Sequence, residues 1–319
     1  MIDIISFCCN GNHYVFDIPG GNLLKCNDVQ LAILNCQDLN SKNIVKKLSN
    51  QFSTREIIEN LASIKKMLDH QLISEKHNTD NGIIFDYSNL ISLKTIYYEE
   101  KTEEVIKSFE LLKQKYFMDR LCLNEKKELN ILKIERKHKL SQDLLEEVNY
   151  FLTGWEHKCQ FCVTDVWLTE YRDAVKNLES SLETITNIIQ MKERMTDLPS
   201  LVKFMKYIIR REKIQFPCKA GLESLYINQS GDVFICENGI QVKDFNKSSY
   251  ASFLTSVYEE QPCCNCFARF LCGGYCKNKS SRVSVMCSAF TETVLLLLKC
   301  CAMLMENDDK FEQFLLDLE

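Results

Sequence analysis

The chemistry-bearing residues of this chain are its cysteines. Seventeen occur in 319 residues, and eight of them fall between Cys218 and Cys287. Cys218 is followed by twelve residues, Gly231, four residues and Cys236. Then come Cys263, Cys266, Cys272 and Cys276, spaced C-x2-C-x5-C-x3-C, and after ten more residues Cys287. Thiolates close in sequence can reach one metal centre if the backbone between them turns sharply, and Gly273-Gly274 after Cys272 suits such a turn. Soft thiolates select zinc or iron–sulfur clusters over hard cations. Seven thiols exceed one four-thiolate site, so two sites are implied. Zinc favours two paired C-x2-C units, and this segment holds one; the scattered remainder suits cuboidal 4Fe–4S clusters. A zinc site and buried free thiols are the alternatives.

This cysteine order, from Cys218 to Cys287, resembles that of the SPASM domain, a C-terminal extension of radical SAM enzymes that modify peptides and proteins. The resemblance implies two auxiliary 4Fe–4S clusters with interleaved ligands. Cys218, Cys236 and Cys276 would hold the first; Cys263, Cys266, Cys272 and Cys287 would hold the second. The first lacks an obvious fourth cysteine. Some family members have one a few residues before the position of Cys218, where this chain reads REKIQFP at 211–217. Cys264 is a spare candidate, and Phe267, Arg269 and Phe270 are expected to shield the site from water.

A radical SAM enzyme also needs a SAM-binding cluster held by C-x3-C-x2-C, and that motif is missing. Cys159 and Cys162 have the final spacing, but the position of the first cysteine is Trp155. Cys263 and Cys266 fail in the same way, with Glu259 in that place. The middle region, 79–212, is also short: at roughly 25 residues per β/α unit it holds about five units. The resemblance therefore implies a degenerate, partner-type member of the family, with no catalytic residue and no SAM. Its expected partners are a precursor peptide and an active radical SAM maturase. A redox-active or atypical radical SAM enzyme is the alternative, and a zinc-binding interaction module a weaker one.

The elements that must position these residues fall into three stretches, giving an α/β, overall α+β, chain. Residues 1–78 open with apolar strand-like runs, Ile4 to Cys9 and His13 to Ile18, around the turn Asn10-Gly11-Asn12. Helical patterns follow at 28–39, 40–52 and 53–72, the last opened by a Ser53/Glu56 capping box. This winged-helix-like plan resembles the PqqD-like precursor-peptide recognition domain of peptide maturases. HYVFDIPGG at 13–21 resembles the opening strands of maturases that thioether-crosslink cysteine-rich peptides. Such domains bind a leader peptide as an added strand.

In 79–212, apolar β-favouring runs at 83–87, 91–98, 129–134 and 159–163 alternate with helical runs at 103–117, 141–152, 168–195 and 198–211. That alternation predicts parallel pairing in a truncated β/α partial barrel. Asp197-Leu198-Pro199 reads as a helix start. In 213–319, strands at 222–227 and 233–236 flank the turn Asn228 to Asp232, and a helix is expected at 285–305.

Composition bounds the partners. A net charge of −5 and a pI near 5.7 leave no basic excess for nucleic acid or an anionic membrane. The longest apolar run, Val294 to Met305, is 12 residues and carries Lys299, short of the roughly 20 a membrane span needs. The start, MIDIISFCCNG, shows no signal-peptide pattern, so a cytoplasmic, reduced chain is expected and disulfides are not. Cys8, Cys9, Cys26, Cys36, Cys122, Cys300 and Cys301 lie in apolar patterns and are expected in the core. Cys159 and Cys162, beside His157, read either as a redox or zinc half-site or as buried thiols. Asp165 reads as a barrel functional residue or a helix N-cap. No His/Asp/Ser spacing along the chain makes a hydrolytic triad.

Overall fold

A computed structural model describes residues 3–36, 39–73, 93–98, 100–116, 122–125, 144–156, 165–177, 182, 198–214, 221–236, 241–242, 263–273 and 283–306. The strand runs 83–87, 129–134 and 159–163, and Asp197, lie outside the described residues.

The chain opens with a three-stranded antiparallel sheet, β1 (Ile4–Cys9), β2 (Asn12–Asp17) and β3 (Asn22–Cys26), in the order β1-β2-β3. Asn10 and Gly11 both adopt positive φ, 50° and 73°, the backbone of a two-residue type I′ turn. That turn sets Cys9 opposite Asn12 and Cys8 opposite His13. The third strand is a departure from the sequence reading, which sends the chain from Gly21 straight into helices. The reason is burial on both faces. Leu23 packs into one core and Leu24 into another, so β3 shows no polar/apolar alternation.

Helices α1 (Asp28–Leu34), α2 (Ser41–Leu48) and α3 (Thr54–Asp69) follow. They are shorter than the periodicity predicts, and each is stopped by its caps. The Ser53/Glu56 capping box forms as expected, with Glu56 N donating to Ser53 Oγ at 3.2 Å and Ser53 N donating to Glu56 Oε2 at 2.9 Å. Ile33, Ile44, Ile57 and Ile64 from these helices meet Val15 and Cys26 on one face of the sheet. Each fully buried isoleucine contributes about 1.5–3 kcal/mol of transfer free energy.

A second, four-stranded sheet has the order β5-β4-β6-β7. Its strands are β4 (Thr95–Tyr98), β5 (Cys122–Glu125), β6 (Ser224–Ile227) and β7 (Val233–Phe234). β4 pairs in parallel with both β5 and β6, as the alternating pattern predicts, and β6 and β7 form the expected antiparallel hairpin. Helix α4 (Glu103–Tyr116) links β4 toward β5 and buries Val105, Phe109 and Leu112 against Ile96, Leu225 and Ile227. Because β6 pairs directly with β4, this sheet is continuous across position 212/213.

The largest core is helical. Helices α5 (Leu144–Glu156), α6 (Asp165–Lys176), α7 (Pro199–Ile209) and α9 (Val283–Met305) pack around stacked aromatics. Trp155 lies 4.2 Å from Phe290 and Phe151 lies 4.6 Å from Tyr171, centroid to centroid. Phe7, Cys9, Tyr14 and Phe16 bring the second face of the N-terminal sheet into this core. Asp165 is the exposed first residue of α6, and α7 begins at Pro199 with Leu198 at its cap, without a side-chain bond.

Helix α9 corrects the apolar-run reading. Ser284–Met305, 22 residues, is long and apolar enough to cross a membrane. Yet 56% of its most apolar window is buried against the rest of the chain, and it is wrapped by α6, α7 and β1. It is the central helix of a mixed α/β protein, apolar nearly all round because it is enclosed. The core-thiol expectation holds for Cys9, Cys26, Cys300 and Cys301, fails for the exposed Cys8 and Cys122, and half holds for Cys36. Cys8 and Cys122 lie on edge strands, whose apolar sequence context does not guarantee a covered face.

Candidate metal centre

The cysteine segment 263–273 is a compact double turn. A 3-10 turn (Cys263–Asn265) leads through Ala268 into the short helix α8 (Arg269–Cys272). Cys266 N donates to the Cys263 carbonyl at 2.9 Å, and Cys272 N to the Ala268 carbonyl at 2.9 Å. Gly273 then ends the helix at φ 70°, the left-handed conformation that glycine adopts without steric cost, and donates to the Arg269 carbonyl at 2.8 Å. The sharp backbone turn expected between the cysteines is therefore present.

The segment is seated on the helical core. Cys263, Ala268, Phe270 and Leu271 are buried with Phe290 and Phe204, and Cys266 and Cys272 pack against the same cluster. Arg269 is buried and fixed on three sides. Its guanidinium pairs with the Asp3 carboxylate, donates through Nη1 to the Cys266 carbonyl at 3.1 Å, and lies 4.8 Å from the Phe270 ring centroid. Lys213 Nζ lies 5.6 Å from the same ring. Phe270 and Arg269 are thus buried, and Phe267 is half-buried.

The Cys266 thiol is pushed up from its ordinary range, mainly by burial and further by the neighbouring Cys272 thiol; a backbone bond from Ala268 and the Arg269 charge oppose this. A soft cation binding here would have to displace that proton, which makes binding pH-dependent. The donor chemistry of the segment, thiols only, fits a soft metal or an iron–sulfur cluster.

Of the seven thiols, Cys218 and Cys276 lie outside the described residues, as do Cys159 and Cys162. Cys236 is half-buried just after β7, and Cys287 is half-buried near the start of α9. The four thiols of the second set are all described, and of these Cys266 and Cys272 come within electrostatic reach of each other. Among the described residues, no three His, Cys, Asp or Glu side chains converge as a group that could hold a metal ion.

Gly231, the glycine of the cysteine pattern, has a structural role. It sits at φ 84° in the β6–β7 turn, and a Cβ there would come within 3.0 Å of both the Glu104 carbonyl and Ser108 Oγ. Ser108 donates to the Gly231 carbonyl at 2.6 Å, and Thr102 to the Gln229 carbonyl at 2.9 Å. The hairpin that leads to Cys236 is therefore clamped on the N-terminal half of α4.

Two polar groups escaped the sequence reading. The Asp3–Arg269 pair joins residues 266 positions apart, which no local pattern signals. A chain of contacts through Cys8, His13 and Asp28 also forms. Its signal was the Asn10-Gly11 turn, whose two-residue length fixes Cys8 opposite His13. No protein-family model matches the chain, and no curated protein is significantly similar to it.

Proposed function

We propose that the chain is an iron–sulfur-binding, non-catalytic partner or scaffold protein of a peptide-maturation pathway. It binds a precursor peptide, an active radical SAM maturase, or both. Cys218, Cys236 and Cys276 ligate one 4Fe–4S cluster and Cys263, Cys266, Cys272 and Cys287 a second, in a SPASM-like C-terminal region at 213–319. The clusters stabilise this region or pass electrons to the partner. The observation that carries the reading is the ordered seven-cysteine pattern, whose C-x2-C-x5-C part folds into a compact double turn.

Two further features support it. The N-terminal three-stranded sheet backed by three helices is compatible with a PqqD-like recognition domain at 1–78, whose edge strands can accept a peptide as an added strand. The parallel β4/β5 pair with α4 is compatible with a shortened β/α region at 79–212 that has lost the SAM-cluster motif.

The test is anaerobic reconstitution of the full chain with iron and sulfide. Two clusters' worth of iron and acid-labile sulfide, with the absorbance of 4Fe–4S centres, is the expected result. Cys272→Ala should lower it, and Cys300→Ala, in the buried core of α9, should not. Stoichiometric zinc with no sulfide would replace this reading with a zinc-binding module. Reductive cleavage of SAM by the reconstituted protein alone would replace it with an enzyme.

A further inference from the structure

The N-terminal sheet carries a polar row that the cysteine constellation does not use. Cys8, His13 and Cys26 are direct cross-strand partners on β1, β2 and β3, so their side chains share one face. Asp28, the first residue of α1, stands beside the row. Cys8 Sγ lies 3.0 Å from His13 Nδ1, and His13 Nε2 lies 2.9 Å from Asp28 Oδ1. Cys8 is exposed, and the His13 side chain is 29% exposed, so the group is reachable from solvent.

The hydrogen-bonding roles follow from the chemistry of the groups. An ionised carboxylate only accepts, so the neutral His13 ring carries its proton on Nε2 and donates it to Asp28. Nδ1 is then the acceptor, and Cys8 is the donor. A nucleophile bonded to a base, with the base oriented by a third group, is the arrangement that activates a thiol. The two ring nitrogens are both engaged, one with each neighbour, which describes a proton relay rather than a set of ligands around one ion.

We propose that Cys8 is a nucleophilic thiol, activated by His13 and held in register by Asp28, that exchanges with small-molecule disulfides. His13 Nδ1 takes the Cys8 proton, and the thiolate attacks one sulfur of a disulfide R–S–S–R′. The Cys8–SR bond forms as the S–S bond breaks, and R′S⁻ leaves with the proton returned by His13. The Cys8 sulfur is oxidised and the R′ sulfur reduced, so no further oxidant enters. Attack on sulfur needs a thiolate, open access and a proton for the leaving thiolate. It does not need the preorganised donors that a carbonyl oxyanion requires. An exposed thiol on an edge strand beside a tight turn meets those needs.

Cys26 does not resolve the product. It is two strand spacings from Cys8, roughly 9–10 Å, beyond the about 7 Å Cα separation a disulfide tolerates. It is also buried, and burial first, then the Cys8 and Asp28 charges, push its thiol up to about 11. The mixed disulfide on Cys8 therefore persists until an external thiol releases it. This inference rests on residues outside the seven-cysteine pattern and stands apart from the iron–sulfur reading.

The test uses the reduced full-length protein and oxidised glutathione, with peptide mapping by mass spectrometry after quenching. Cys122, the other exposed thiol among the described residues, is the internal reference. With a base bonded to its thiol, Cys8 is expected to react about ten-fold faster than Cys122 at pH 7. His13→Ala should slow Cys8 about ten-fold, and Asp28→Asn should slow it to a lesser degree. Neither should change Cys122. If His13→Ala exposes Cys26 to modification, the fold is disturbed and His13→Gln is read instead. Cys8 reacting no faster than Cys122, or keeping its rate in the intact His13 variant, overturns the proposal.

Discussion

Replacing Asp3 with Ala tests what anchors the cysteine segment. The Asp3 and Arg269 side chains are 12% and 6% exposed, so their ion pair is largely out of water. Removing one partner of a buried pair leaves an uncompensated charge and costs about 3–5 kcal/mol. Arg269 keeps the Cys266 carbonyl at 3.1 Å and the Phe270 ring at 4.8 Å, which offset part of that loss. The expected cost is therefore at the low end, about 3 kcal/mol, read from the urea midpoint at unchanged slope. Asp3→Asn keeps an acceptor for the guanidinium and should cost about half as much. The double variant Asp3→Leu with Arg269→Met removes both charges and should recover to within about 1 kcal/mol of the parent, because no buried charge remains. Alkylation kinetics give a local readout: Asp3→Ala should expose Cys266 and Cys272 to reagent while Cys300 stays protected. A cost under about 1 kcal/mol, or a double variant no better than Asp3→Ala, would show that water screens the pair and that Arg269 is held by its other contacts.

Three further outcomes are expected. Phe290→Ala removes a ring stacked at 4.2 Å on Trp155 and should cost about 3–5 kcal/mol in urea unfolding, with Phe290→Leu costing about 1.5 kcal/mol. Ser53→Ala breaks the capping box of α3 and should cost about 1 kcal/mol by the same measurement, provided Glu56 finds no new donor. Glu306 receives hydrogen bonds from Asn12 at 2.5 Å and Tyr14 at 2.6 Å and pairs with Lys25 at 3.5 Å, joining the end of α9 to the N-terminal sheet. Burial alone would raise its carboxyl, but the Tyr14, Lys25 and Asn12 contacts outweigh it and hold the carboxyl below the usual range. Its contribution is therefore present above the ordinary carboxyl value of about 4.3 and lost as pH falls through the lower folded value; Glu306→Gln should flatten acid unfolding in that window.

Much of the local structure was legible without coordinates. The Asn10-Gly11 turn, the Ser53/Glu56 box, the parallel strand pairing and the β6–β7 hairpin are all signalled within a few residues of themselves. The third strand was not legible, because burial on both faces erases the alternation that marks a strand. The helix expected at 285–305 forms as α9, but its apolar length was undercounted, since a helix tolerates Thr291, Glu292 and Lys299 when neighbouring elements cover or pair them. Cys8 and Cys122 were misplaced because an apolar neighbourhood in sequence says little about an edge strand.

The candidate sites divide in the same way. The order and spacing of the cysteines, and the glycine that ends their turn at position 273, are properties of the chain read alone. Tertiary structure alone decided that the turn rests on a core shared with α9, and that a carboxylate from the extreme N-terminal stretch neutralises Arg269 inside it. It alone brought Asp28 to His13, whereas the Asn10-Gly11 turn already sets His13 opposite Cys8. The physical reason is range. Propensity, capping and turn chemistry act over a few residues and are written in order along the chain. Pairing of charges and thiols depends on which surfaces meet when separate apolar faces are buried, and that choice is made by the whole fold.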